Sequence, residues 1–319
     1  MWGAKRTTIK IALTGPHGGR GQCVTANASP ALLIQGDDIL REGNNMDLRL
    51  AVPVFVACVC FAGVVHADQL ADIKQKGEIV IGVLGVAPNS FVDPKTGEMV
   101  GYEVDITKAV AKAMGVKPVF KPVTTAARIS ELQEGKVDIL EASLTHNRQR
   151  EAQVDFSLTT LVTGQKVLVK TASGVKDLPD LAGKKVLVVK GGTEEPNIRK
   201  AVPTVDILTF DTTQQAILAL QHGDGVGYVA DETSLVSDYA KLGAARKDYA
   251  ILPTNVSVEP LALGIRKGED GLKTVVDDTL RALEKSGQAE QIFFKWYGPG
   301  TKTNFDKRSF KIETDKLDR

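Results

Sequence analysis

Cysteine is nearly absent from this chain. Its 319 residues include three, Cys23, Cys58 and Cys60, and all lie before residue 68. From there on no disulfide is possible, even in an oxidising compartment. Histidine is as scarce: beyond residue 67 only His146 and His222 remain, without ligand-spaced partners, so neither a metal site nor a resident cofactor is expected. An excess of one charge is also missing. Residues 1–67 hold six of the 40 basic and four of the 39 acidic residues, which leaves the remainder at a net −1. That balance gives no electrostatic case for nucleic-acid binding. Long apolar runs are absent after residue 65, and no G-x-x-x-x-G-K-[ST] loop exists to make the chain an ATPase.

What is present begins with an export signal. Met46 and Arg49 precede an apolar run over 50–65, and Val65-His66-Ala67 gives a small-x-small ending before Asp68. This pattern predicts a cleaved signal peptide over 46–67 and a periplasmic protein. Residues 1–45 have mixed, Gly-rich composition with no period, and are expected to be an upstream-start artefact. A lipoprotein is disfavoured because Phe55 stands three positions before Cys58, where an aliphatic residue is usual.

From residue 68 the 43% apolar content of the sequence is arranged in alternating periods of strand and helix. Strands are predicted at 79–84, 119–123, 137–142, 166–170, 185–189, 206–210, 227–230 and 261–266. Helices are predicted over 70–76, 103–114, 125–133, 194–200, 213–221, from 231, and over 271–287 and 288–296. Such alternation predicts an α/β chain of βαβ units around parallel sheets. The last strand and two helices close no unit of their own. They are expected to return to the first, giving lobe one from 68–163 and 258–319 and lobe two from 164–257. Two crossings, near 160–164 and 257–261, would form the hinge between two parallel-core sheets. The tail from Gly298 is Pro/Gly-led and charged, and is expected to be peripheral.

Ligands of open α/β sheets bind beyond the carboxyl ends of strands. Three such ends carry chemistry. Strand 137–142 leads into Ser143, Thr145 and Arg150; strand 185–189 into Gly191, Gly192 and Thr193; strand 227–230 into Asp231. A guanidinium forks onto a carboxylate. Free N–H groups at a helix start attract an anion, and an aspartate can pair with an ammonium. Together they suit the zwitterion of a free α-amino acid. Blander roles fit the same residues: Arg150 paired with Asp155 on a solvated helix, and Asp231 or Thr193 as plain helix caps. Trp296 and Tyr297 read as core.

Segment 101–114, opening Gly101-Tyr-Glu-Val-Asp105, resembles a motif of the bacterial amino-acid-binding proteins, the periplasmic receptors of ABC importers (extracellular solute-binding protein family 3). The likeness extends through Ser143-x-Thr145-x4-Arg150-x4-Asp155-Phe-Ser157, Gly191-Gly-Thr193, Tyr228-Val-Ala-Asp231, Leu263-Gly-Ile265 and Phe294-Lys-Trp296-Tyr297. The resemblance implies a two-lobed fold, a free amino-acid ligand, a membrane permease as partner, and a monomer without catalysis. In the family, residues matching Arg150 and Thr193 hold the α-carboxylate, and those matching Ser143, Thr145 and Asp231 the α-amino group. Arg128 resembles an arginine that relatives set against acidic or polar side chains. Asn89 stands where relatives often carry a covering aromatic, which implies a more polar pocket and a ligand such as glutamate, aspartate or glutamine. Some relatives on this fold are cyclohexadienyl dehydratases; for that alternative Glu141 and Glu194 are the nearest candidate acids. A signalling sensor domain is a third reading, disfavoured by the lack of a kinase or second membrane segment.

Overall fold

The computed structural model describes residues 68–312. The expected signal peptide and upstream segment lie outside the described residues. The described residues open with α1 (Gln69–Lys76), which Asp68 caps by accepting the Leu70 N–H and which Gly77 ends in left-handed conformation. Next come β1 (Glu78–Val83), a two-rung hairpin of β2 (Phe91–Val92) and β3 (Met99–Val100), then α2 (Tyr102–Met114) and β4 (Lys117–Pro122). After these stand α3 (Arg128–Gln133), β5 (Ile139–Leu140), the short α4 (Arg148–Glu151) and β6 (Asp155–Lys170). The second half runs through β7 (Lys185–Val189), α5 (Glu194–Ala201), β8 (Asp206–Phe210), α6 (Thr213–His222), β9 (Gly227–Asp231), α7 (Glu232–Lys241) and β10 (Tyr249–Ile251). Finally β11 (Ser257–Ile265), α8 (Asp270–Lys285) and α9 (Gln288–Tyr297) return to the first half.

Both expected parallel cores exist. β1 pairs in parallel with β4 and β5, and β7 with β8 and β9. They are not separate in hydrogen bonding. β6 is one 16-residue strand where the sequence predicts a bare crossing before a short strand. It pairs antiparallel with β11 and then with β9, and β11 pairs with β5. The order β4-β1-β5-β11-β6-β9-β7-β8, with β10 beside β6, is one mixed ladder. The reason is backbone accounting. Buried crossings must satisfy their N–H and C=O groups, and the two crossings do so by pairing with each other, as in Glu259 opposite Thr163. Register shifts on either side of Ala262 mark the irregularity with which β11 passes from one half to the other.

Each half buries both faces of its strands. In the first, Ile81, Leu263, Leu280 and Phe293 share a cluster beneath α2, α8 and α9, while Leu132, Leu140 and Ala262 pack on the other side with α3. In the second, alternate residues of β7 divide: Val186 and Val188 pack with Ile198 of α5, whereas Leu187 packs with Leu220 of α6 and Leu235 of α7. The two lobes are therefore each a sheet with helices on both faces.

The start of the tail corrects the expectation of a peripheral segment. Phe305 and Phe310 lie against Phe293, and Arg308 makes two hydrogen bonds to the carboxylate of Glu284 at 2.9 and 2.6 Å. Ile312 is buried.

Candidate functional site

The strand ends meet where the halves touch. Thr145, after β5, lies with its hydroxyl 3.3 Å from that of Thr193, at the start of α5. Arg150 Nη2 donates to the Gly191 carbonyl at 3.3 Å. A Cβ on Gly191 would sit 2.6 Å from Ala126 Cα, so glycine is what lets these two backbones approach. Beside the contact is a cavity of about 50 Å³. Its polar wall carries Arg128, Ser143 and Thr145 from the first half and Thr193, Glu194 and Asp231 from the second.

Five of the six expected site residues thus share one cavity wall. Arg150 does not. Its guanidinium is engaged behind it by the carbonyls of Thr145 (2.9 Å) and Gly191. The alternative of an Arg150–Asp155 pair is also not realised, because Asp155 pairs with Lys267 at 2.6 Å. The structure equally removes the cap readings. Asp231 and Thr193 each stand at a helix N-cap, yet neither side chain makes a capping hydrogen bond. Thr193 Oγ1 instead donates to Glu259 at 2.9 Å and accepts from Gln165 at 2.8 Å. Asp231 Oδ1 is buried without a hydrogen-bond partner among the described residues.

Arg128 is 3% exposed and hangs its Nη1 on the carbonyls of Ala142 and Ser143. Its Nε is buried without a partner among the described residues. Burial, and the Arg150 charge nearby, push this guanidinium down to about 9. Burial also lowers Arg150. The carboxyls move the other way. Burial raises Asp231 well above the ordinary range, reinforced by the charges of Glu194 and Glu259, and burial raises Glu194.

Ser143 is held from below. Its φ of 47° places a non-glycine residue in the left-handed region. Two 2.7 Å bonds, from its N–H and its hydroxyl to Glu103 Oε1, fix it there. Asn89 donates to the same hydroxyl at 2.9 Å and accepts from Tyr297 at 2.9 Å. Asn89 is 1% exposed and does not reach the cavity wall, so the expected polar pocket does not come from this residue. Glu103 accepts three donors, counting Ser90. Glu141 beside it accepts one from Thr160. Burial lifts Glu103 to about 7 and, with the charge of Glu103, raises Glu141 well above its ordinary range. The proton of this pair belongs on Glu141, which has fewer donors to stabilise an anion.

Sequence pattern does not single out three supporting residues. Glu103 belongs to the motif that opens at Gly101, where it reads as scaffold. Gln165 and Glu259 sit in the paired crossings, where a polar residue inside an otherwise apolar strand was the available signal. In the sequence Glu194, like Glu141, is a candidate only for a dehydratase acid. It lines the cavity, whereas Glu141 is buried away from it beneath Thr160.

Residues 79–299 match the model of the bacterial extracellular solute-binding proteins, family 3. The ABC transporter glutamine-binding protein GlnH of Bacillus subtilis is 33% identical over 72% of this chain and 84% of its own. The L-glutamate/L-aspartate-binding protein of Pseudomonas aeruginosa is 31% identical over 78% and 89%. Among solved structures, the ancestral amino acid-binding protein AncCDT-1, a precursor of cyclohexadienyl dehydratase, is similar with a TM-score of 0.65 and 32% identity, covering 72% of this chain and all of its own. With the two-lobed fold, the cavity between its halves and a match over most of its length, this chain belongs to the bacterial extracellular solute-binding proteins of family 3, the amino-acid-binding proteins of ABC transporters.

Proposed function

We propose that the protein captures a free polar amino acid between its lobes in the periplasm and delivers it, as a monomer, to the permease of an ABC importer. The observation that carries this reading is the opposition, across one cavity, of a buried cation and buried carboxyls with unpartnered atoms: Arg128 Nε against Asp231 Oδ1 and Glu194 Oε2. Leaving charged groups unmatched in a low-dielectric site is costly; the α-ammonium of a free amino acid matches the carboxyls, and a polar side chain matches Arg128. Asp231, with Ser143 and Thr145, takes the α-ammonium. Arg150 and Thr193 take the α-carboxylate, with the ligand replacing the long Gly191 carbonyl contact of Arg150 and the Glu259 bond of the Thr193 hydroxyl. Arg128 faces the ligand side chain, which supports glutamine, glutamate or aspartate.

Capture works through the hinge. Lobe one (68–163 and 258–319) and lobe two (164–257) rotate about β6 and β11. A ligand touching both lobes binds the closed form better, and that difference drives closure. A signal peptide over 46–67 supports export. Binding rather than turnover is the activity this reading assigns, supported by the glutamine and glutamate/aspartate relatives, which are binding proteins.

A thermal-shift screen of the free amino acids on the purified protein tests this, because a ligand of the folded state raises its midpoint by mass action. Asp231→Asn should weaken the best ligand by about 2–5 kcal/mol. No shift with any amino acid, or turnover of prephenate or arogenate, refutes the reading.

A further inference from the structure

The cavity holds more acceptors than the backbone of an amino acid can use. Arg128 Nε offers one buried, unpartnered donor, while Asp231 Oδ1 and Glu194 Oε2 offer two buried, unpartnered acceptors. No ion pair joins Arg128 to either carboxylate among the described residues, although all three line one cavity. Glu194 turns into the cavity because Gly192 leaves space: a Cβ there would collide with Oε2. On the reading above, the α-ammonium satisfies Asp231. One donor, Arg128, and one acceptor, Glu194, then remain to face the side chain.

We propose that Arg128 and Glu194 together read a carboxamide, so that the protein prefers glutamine or asparagine over the corresponding acids. This rests on the proposed amino-acid capture and narrows its ligand. The argument runs by elimination over side-chain chemistry. A carboxylate can accept from Arg128 but repels Glu194 and leaves its oxygen unmatched. An ammonium or guanidinium can donate to Glu194 but brings a second cation against Arg128. An apolar side chain satisfies neither buried charge. A carboxamide has an acceptor oxygen and a donor nitrogen on one carbon, and so satisfies both groups at once while adding no charge. A site built to hydrogen-bond a polar group rejects an analogue that leaves its buried groups unpaired far more strongly than a shape mismatch would.

Calorimetry with glutamine, asparagine, glutamate and aspartate on the full chain tests the pair. The expected result is that one of the amides binds at least about 100-fold more tightly than its acid. Glu194→Gln keeps the shape but removes the obligate acceptor. It should cut that ratio by about 10-fold or more, mainly by tightening the acid. Glu194→Ala, which removes the carboxylate outright, should move the ratio the same way, and denaturation midpoints confirm that both variants fold. Equal or tighter binding of the acid by the unaltered protein, or an unchanged ratio in both variants, overturns the amide pair while leaving amino-acid capture intact. Absence of binding by every free amino acid overturns both.

Discussion

Two glycines bracket α2, and the same added methyl group should affect them differently. Gly115 ends the helix at φ 73°, and a Cβ there meets nothing within 4 Å. Replacing it by alanine costs only the left-handed conformation, about 1 kcal/mol. Gly101 begins the helix at φ 141° and ψ 175°, a region essentially reserved for glycine, at a cost of about 1–3 kcal/mol for any other residue. Its Cβ would also overlap the Asn89 carbonyl and lie 2.9 Å from that of Pro88. Those two carbonyls accept the Glu103 and Tyr102 N–H groups at 2.9 and 3.1 Å, so they cannot retreat without loosening the helix start. Overpacking of this kind adds about 1–3 kcal/mol. Gly101→Ala should therefore cost about 2–6 kcal/mol, a loss of roughly 10 °C against roughly 3 °C for Gly115→Ala. Denaturant unfolding with equal m-values measures both. Ligand affinity should also fall in Gly101→Ala, because Asn89 carries Ser143. Equal losses of stability in the two variants would refute the collision argument.

The buried acid pair should make stability fall with pH. Burial and the charge of Glu103 hold Glu141 well above its ordinary 4.5. Above that pH the unfolded chain releases a proton that the folded chain keeps, so folding loses up to about 1.4 kcal/mol per pH unit until the folded form ionises too. Glu141→Gln has no proton to lose, and its decline in midpoint between pH 5 and 8 should be shallower; Glu103, lifted to about 7, keeps some slope. An identical slope in the variant would contradict the proton assignment. Arg308→Ala strips both hydrogen bonds from Glu284 and should cost about 3 kcal/mol, read by calorimetric unfolding; a change below about 0.5 kcal/mol would show the tail to be unanchored.

Periodicity made the parallel cores legible, because β1 and β7 are short apolar runs that repeat the same strand–helix logic. It did not reveal that β6 is continuous. Thr159, Thr160 and Thr163 look like a loop between strands, yet they are buried, since the crossings satisfy each other's backbone. The predicted strand 137–142 is two residues long in the structure, because chain length per element is set by partners that no local window contains. For the site, the strand-end rule with the resemblance points to Ser143, Thr145, Thr193 and Asp231, and the resemblance alone to Arg128; all five line one cavity. The rule could not show that the Arg150 guanidinium points to backbone carbonyls, nor that Thr193 is already bonded to Glu259. The Gly191 and Glu259 contacts join segments 41 and 66 residues apart, and the nearer Thr145 carbonyl is reached only because the chain turns between β5 and α4. Glu194 escaped for a simpler reason: an acidic residue in the first turn of a helix is ordinary, and only the collision space over Gly192 shows where its carboxylate goes.

The pairing of β5 with β11 has a consequence for the order of synthesis. Leu140 finds its partner in Gly264, and Ile139 in Ile265. A nascent chain, emerging N-terminus first, has β1 and β4 early but must wait through the whole second half before that edge is covered. Until α8 and α9 follow, the apolar face of Ile81 and Ile106 also lacks its cover of Leu280 and Phe293. Closing so long a loop is slow. The second half, β7 to β9, has its strands contiguous and can settle first. Residues 257–297 thus complete the first half last, although its strands β1 and β4 are made first.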